Sequence, residues 1–303
     1  MKSFAHTLCR LSSGCLWVAI LLFHSVLLRG QQYVAPEVPD SIASLDGRVS
    51  YATAHYWDDF NFADTTLLSH DYGEQALVDF IGLLSYASPE MCETPVREWL
   101  EAMKTHAKAY DYFMQEAEEY LYRPESPLHN ETLYQLVLQQ VVRQGAATEA
   151  CMERARFQLS LVSRNQVGGK ATDFRYLRAD ETEATLKETA PGLPLLLIFY
   201  DPDCRHCRET IDRLTSMSLL HQVVNDGRLA VLAIYAEGDE ELWRGTKDEL
   251  PMEWGVGMDL SGIKDNVLYD LKSMPTIYLI DAERRVVLKD ATIPQILSSL
   301  IRL

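Results

Sequence analysis

Basic residues are scarce in this chain: 28 Lys and Arg stand against 44 Asp and Glu, a formal charge of −16. So acidic a surface repels phosphate backbones and anionic lipid, which sets nucleic acid aside as a partner. Long apolar runs are short too. Near the start, Cys15 to Leu28 falls below the ~20 residues a spanning helix needs and is interrupted by His24 and Ser25. With Lys2 and Arg10 before it and a short polar stretch after it, residues 1–30 read as a secretory signal rather than an anchor. Cys15 opens the apolar run instead of following it, which argues against lipidation. Loss of residues 1–30 removes Lys2, Arg10 and Arg29 but no acid, moving the formal charge to −19. There is no internal repeat and no low-complexity tract. Cysteine is sparse as well, with only Cys92, Cys151, Cys204 and Cys207 beyond residue 30.

A hydrophobic fraction of 47% over 303 residues is enough for two ordinary domains. The first half reads as helical. Leu77, Phe80, Ile81 and Leu84 follow helical spacing, as do Val96, Trp99, Leu100 and Met103, a stripe continuing through Ala107, Tyr110 and Met114. Leu133, Leu136, Val137 and Val141 form a third stripe, separated from the second by the two prolines of Arg123-Pro-Glu-Ser-Pro127. A fourth helix is expected over 148–162. At Asn165-Gln-Val-Gly-Gly-Lys170 the composition changes, which places a domain boundary there. Beyond it, apolar strands at 193–200, 229–235, 276–280 and 285–288 alternate with helices at 204–224, 240–250 and from Ile293 onward, the pattern of an α/β domain around a buried sheet.

Cys204-Arg205-His206-Cys207 stands where the strand ending at Tyr200 passes through Asp-Pro-Asp into a helix. Cys204 then lies at a helix N-terminus, where unpaired N–H groups and the helix dipole favour a thiolate. Cys207 lies a turn further in and more buried. Thiol–disulfide exchange needs this division between an exposed attacking thiol and a close resolving one. Arg205 and protonated His206 favour thiolate while Asp203 opposes it, so these three are the expected redox-tuning residues. Other uses of the pair fit less well. A structural zinc site takes four ligands, and no second Cys-x-x-Cys accompanies this one. Covalent haem would need His directly after Cys207, where Arg208 stands. A permanent disulfide across so short a loop gains little chain entropy. No metal and no cofactor is expected.

In Tyr269-Asp-Leu-Lys-Ser-Met-Pro-Thr-Ile-Tyr-Leu-Ile-Asp281, Pro275 directly precedes a buried strand, where a cis proline leaves the Met274 backbone open to pair with an extended substrate. On Cys204, Cys207 and Pro275 followed by Thr276, residues from about 171 to the end resemble a thioredoxin-like domain of the TlpA type found in bacterial envelopes. The resemblance implies Cys204 as nucleophile, Cys207 as resolving cysteine, Pro275 as the catalytic cis-proline, and Met274 and Thr276 as substrate-binding positions. Tyr56-Trp-Asp-Asp-Phe-Asn-Phe62, Tyr120 to Asn130 and Arg156-Phe-Gln-Leu-Ser-Leu161 resemble an uncharacterised helical domain that precedes such modules in exported proteins of gram-negative bacteria. The implied order is a signal peptide over 1–30, a helical domain over 31–167 and a thioredoxin-like α/β domain over 168–303.

Departures from the resemblance leave the direction of electron flow open. Asp203 stands where the family usually has Trp, and Arg205-His206 replaces the Gly-Pro of thioredoxin. The strand before the motif lacks thioredoxin's buried acid, and Glu237 is either its substitute or a solvated surface acid. A peroxidase of the peroxiredoxin kind would want Thr where Asp201 stands. Cys92 and Cys151 could close a structural disulfide or remain two buried thiols. The aromatic group Tyr56, Trp57, Phe60 and Phe62 reads as helix packing, and the acids beside it, Asp58, Asp59 and Asp64, form no calcium-type loop. The function expected is thiol–disulfide exchange on protein substrates in the periplasm or envelope, supplied by a membrane or envelope electron donor. The alternative is a binding or partner-recruiting protein whose helical half does the work while the other half is a scaffold or redox switch.

Overall fold

The computed structural model describes residues 33–303; the expected signal segment, residues 1–30, lies outside the described residues. The chain forms two compact units. One comprises the described residues up to Leu121 together with Arg143–Cys151; the other comprises Tyr122–Val142 and Met152–Leu303.

The first unit is built on helices α1 (Leu45–Ala54), α2 (Gln75–Leu84), α3 (Pro89–Met103) and α4 (Ala107–Leu121). Ser88 caps α3 by accepting the Met91 N–H, and Pro89, which has no N–H to lose, begins it. The stripe expected to run from Val96 to Met114 is two helices, because a turn at Lys104–His106 interrupts it; Val96, Trp99, Leu100 and Met103 on one side and Tyr110 and Met114 on the other are buried, whereas Ala107 is exposed. Tyr56, Trp57, Phe60 and Phe62 are buried against Phe80, Trp99 and Phe113, with the rings of Trp57 and Trp99 stacked at 6.0 Å. Here the aromatic group forms the core.

The disulfide considered for Cys92 and Cys151 is not formed: both sulfurs are thiols. Cys92, buried in α3, directs its S–H to the Leu84 carbonyl at 3.6 Å, and burial pushes its pKa above the ordinary thiol value.

The second unit takes Glu131–Val142 from helix α5 (Glu131–Gln144) and Met152–Val162 from helix α6 (Glu149–Val162). The rest is a seven-stranded mixed sheet of β1 (Arg175–Arg178), β2 (Glu183–Thr185), β3 (Leu195–Tyr200), β4 (Ala230–Tyr235), β5 (Gly255–Asp259), β6 (Thr276–Ile280) and β7 (Val286–Leu288), in the order β2-β1-β5-β4-β3-β6-β7. β3, β4 and β5 are parallel; β6 runs antiparallel to β3, and β1 to β5. Every residue of β3 is buried. Leu196, Ile198 and Tyr200 join one core and Leu195, Leu197 and Phe199 the other, as strand alternation requires of a sheet covered on both faces. The composition change at 165–170 marks where helices give way to strands; compactness divides the chain elsewhere, because Tyr122 and Glu131 are tied into the second unit.

The helix expected over 204–224 is two, α7 (Arg205–Thr215) and α8 (Ser218–Asn225). At the break the Thr215 and Ser216 hydroxyls donate to the Asp212 and Arg213 carbonyls, side-chain bonds that compete with the helix ladder. Helix α9 (Glu240–Thr246) follows β4, and α10 (Ile293–Leu300) closes the unit. β5 was not expected, since two glycines in five residues hide its apolar pattern. Gly257 is required there: a Cβ would lie 2.3 Å from Tyr176 Cδ2 and 3.0 Å from the Leu177 carbonyl. Gly257→Ala should therefore destabilise by about 1–3 kcal/mol through overpacking, read as a lower urea midpoint at unchanged slope.

Candidate functional site

β3 ends beside the start of β6, with Phe199 opposite Thr276, so the turn after Tyr200 faces the loop before Thr276. In that turn the Cys204 N–H donates to the Asp201 carbonyl at 3.1 Å and the Asp203 N–H to Asp201 Oδ1 at 2.9 Å. The chain is thereby aimed into α7 with Cys204 as the N-cap, its Sγ accepting the Cys207 N–H at 3.4 Å. One of the otherwise unpaired N–H groups of the helix start is thus directed at a sulfur. Across the turn, Cys204 Sγ donates to the Met274 carbonyl at 3.6 Å, and the Met274–Pro275 peptide bond is cis.

Cys204 is half-buried and Cys207 fully buried. Burial pushes the Cys207 thiol up to about 12, although the Asp201 N–H, 3.5 Å from its sulfur, works the other way. Cys207 is therefore a thiol at neutral pH. Iodoacetamide at pH 8 should label Cys204 and spare Cys207 and Cys92 in the folded protein. Labelling of Cys207 should rise ~tenfold per pH unit as its thiolate fraction grows, a dependence measurable by peptide mass spectrometry.

Arg205 is 86% exposed and spends its charge on Glu209 at 2.7 Å. His206 and Asp203 are exposed. Backbone groups of Asp201, Cys207 and Met274 contact the sulfurs, which also interact with each other. Glu237, the possible proton carrier, is paired with Lys264 at 2.7 Å and serves as a surface acid. Among the described residues no group of three or more His, Cys, Asp or Glu is placed to hold a metal ion.

Beside the motif lies a cavity of about 240 Å³ whose lining includes His206 and Thr210 of α7, Pro275, Ile293 of α10, and Pro124 and Glu125 from the turn before α5. Thr276 also lines it, its hydroxyl donating to the Ser273 carbonyl. The Pro124–Glu125 turn is held at both ends by a buried ion cluster. Lys272, with a side chain only 1% exposed, lies 2.7 Å from Glu131, is bonded to Asp290, stands 3.7 Å from Asp270 and sits 4.6 Å from the centre of the Tyr122 ring. Tyr122 donates its hydroxyl to Asp270 at 2.8 Å, and Lys289 reaches Glu131 at 2.9 Å. Burial works against the Lys272 ammonium, but Asp290, Glu131 and Asp270 outweigh it and hold its pKa above the ordinary value. Burial lifts the Asp270 carboxyl, the most distant of the three from Lys272 Nζ, above its own.

A sheet of this order, with a strand-to-helix Cys-x-x-Cys passage next to a cis-proline strand, is a thioredoxin-like fold. Comparison with known proteins agrees. A crystal structure of a thioredoxin-like protein from Bacteroides caccae is 33% identical with a TM-score of 0.80, covering 89% of this chain and 98% of that one. A conserved protein of unknown function from Bacteroides fragilis is 34% identical over 45% of this chain and 98% of its own, with a TM-score of 0.43. The thioredoxin domain of a thiol-disulfide oxidoreductase from Bacteroides vulgatus is 18% identical over 45% of this chain and 96% of its own, with a TM-score of 0.40. No curated protein matches. Residues 12–165 match a family described as a domain of unknown function, DUF5106. The chain belongs to this family and, with its Bacteroides caccae relative, to the thioredoxin-like proteins. The matched stretch includes Tyr122–Val142, residues that fold with the second unit.

Proposed function

We propose that the protein is an exported thiol–disulfide oxidoreductase that acts on protein disulfides in the cell envelope, in the manner of TlpA-type proteins. The observation that carries this reading is the asymmetry of the two sulfurs: Cys204 is half-buried at the start of α7 beside Met274, and Cys207 is fully buried behind it. The thiolate of Cys204 attacks one sulfur of a substrate disulfide, forming a mixed disulfide and releasing the other substrate sulfur, which takes up a proton. Cys207 then gives up its proton and attacks the Cys204 sulfur. The Cys204–Cys207 bond forms, the mixed disulfide breaks, and the second substrate thiol leaves. Two electrons and two protons pass to the substrate, and a membrane or envelope dithiol donor restores the pair. The same steps run backwards oxidise a substrate dithiol. Met274 and Pro275 hold the substrate backbone, with Thr276 behind them. The signal pattern over residues 1–30 supports export to the periplasm or envelope of a gram-negative bacterium. Reduction of insulin by dithiothreitol in the presence of the protein tests the activity, and equilibration of Cys204–Cys207 with glutathione fixes its direction.

A further inference from the structure

The oxidoreductase reading accounts for the sulfurs and the cis-proline loop but leaves the Arg123–Pro127 turn without a role. That turn supplies Pro124 and Glu125 to the cavity next to His206 and Pro275. At about 240 Å³ the cavity is below the ~300–1,000 Å³ of small-molecule sites and has the scale of a subsite for a peptide side chain. Its lining is mixed: Pro275, Ile277 and Ile293 supply apolar surface, Arg213 and Asp290 carry charge, and His206 and Glu125 are exposed. The same buried ions fix the turn and the cis-proline loop together. Tyr122 and Glu131, on either side of the turn, bond to Asp270 and Lys272, and Lys272 lies two residues before Met274. Asp290, which lines the cavity, bonds to the same Lys272. A wall tied to the loop it faces by nearly dry ion pairs does not swing aside as a mobile lid would.

We propose that Pro124 and Glu125 are specificity-determining residues: a fixed wall that turns the substrate surface beside Cys204 into a trough, admitting cysteines on extended, unfolded segments and excluding disulfides presented on a folded surface. The occupant of the trough is an apolar side chain flanking the substrate cysteine, seated over Pro275 and Ile293. This rests on the oxidoreductase reading.

Two experiments on the full mature chain test it. The first compares kcat/KM for scrambled, unfolded ribonuclease A with that for native ribonuclease A, in the wild type and in a Pro124→Gly, Glu125→Gly double variant. The preference for the scrambled substrate should shrink at least ~fivefold in the variant; a ratio moved by less than twofold overturns the wall. The second needs no turnover and leaves the turn intact. Cys204 of a Cys207→Ser variant is joined to a peptide cysteine through an activated disulfide, the peptide carrying a benzophenone side chain next to that cysteine, and irradiated. Cross-links at Pro124, Glu125 or Ile293 are expected, and cross-links confined to other positions overturn the proposal. If neither ribonuclease is reduced while the cross-links fall as expected, the oxidoreductase reading fails and the specificity role with it, and the trough stands only as a seat for a peptide side chain. A Cys204 that forms no adduct overturns both.

Discussion

Cys204→Ser should lower the exchange rate by on the order of 10³-fold or more, to the level of dithiothreitol alone. The chemistry requires a thiolate, and a serine hydroxyl in the same N-cap position ionises far outside the working range however many N–H groups surround it. Removing an attacking group costs nearly the whole rate enhancement, because the remaining parts of the site can bind substrate but cannot form the covalent intermediate. Cys207→Ser should behave differently. It keeps the first step and loses the second, so mixed disulfides with substrate accumulate and run as adducts on non-reducing gels, disappearing on treatment with reductant. A protein whose insulin turnover matches that of its Cys204→Ser variant, in reduction and oxidation alike, would end the oxidoreductase reading.

Lys272→Met should cost about 3–5 kcal/mol of stability, the loss seen when one side of a buried ion cluster is removed. The ammonium is almost completely shielded from solvent, so solvent screening does little to soften the change. Glu131, Asp270 and Asp290 would be left with Lys289 and the Tyr122 hydroxyl, and one of them already sits poorly: burial holds Asp270 above its ordinary carboxyl value even with Lys272 present. The sign of the pH dependence follows. A carboxyl whose folded pKa exceeds its unfolded one favours folding when protonated, and that support is lost as pH rises through the folded value. Losing Lys272 raises the folded value further. The deficit of the variant should therefore be greatest at neutral pH and shrink as pH falls toward the ordinary carboxyl value of 3.8. Urea titrations at several pH values check this, and a deficit independent of pH would mean that lost packing, not uncompensated charge, is responsible.

Much of the redox half could be read from the chain. β3, β4 and β6 are nearly continuous apolar runs because sheet strands covered on both faces have no polar side to show, and Cys204 at the end of the first and Pro275 at the start of the last supplied the geometry of the site. β5 is hidden by Gly255 and Gly257; the small size of Gly257 is demanded by Tyr176 on the neighbouring strand, a contact no local pattern encodes. The helix break at Ser216 depends on hydroxyl bonds of Thr215 and Ser216 that compete with the ladder. At the site, the charges of Arg205, His206 and Asp203 are legible in the sequence, whereas the sulfurs also meet backbone groups that every residue possesses. Nor could Lys272 be picked out: with Glu131 some hundred and forty positions away, it has the look of any surface lysine until the fold buries both.

That Tyr122 and Glu131 are fastened to Asp270 and Lys272 has a consequence for how such chains can be cut and rejoined. The change of composition near residue 168 is an inviting junction for a truncated clone or for exchange of modules between related genes. A fragment starting there would keep Asp290 beside Lys272 but would lose Tyr122 and Glu131, and with Pro124 and Glu125 one wall of the trough. A transplant that keeps this wall and its ion pairs would have to bring residues 122–142 with it.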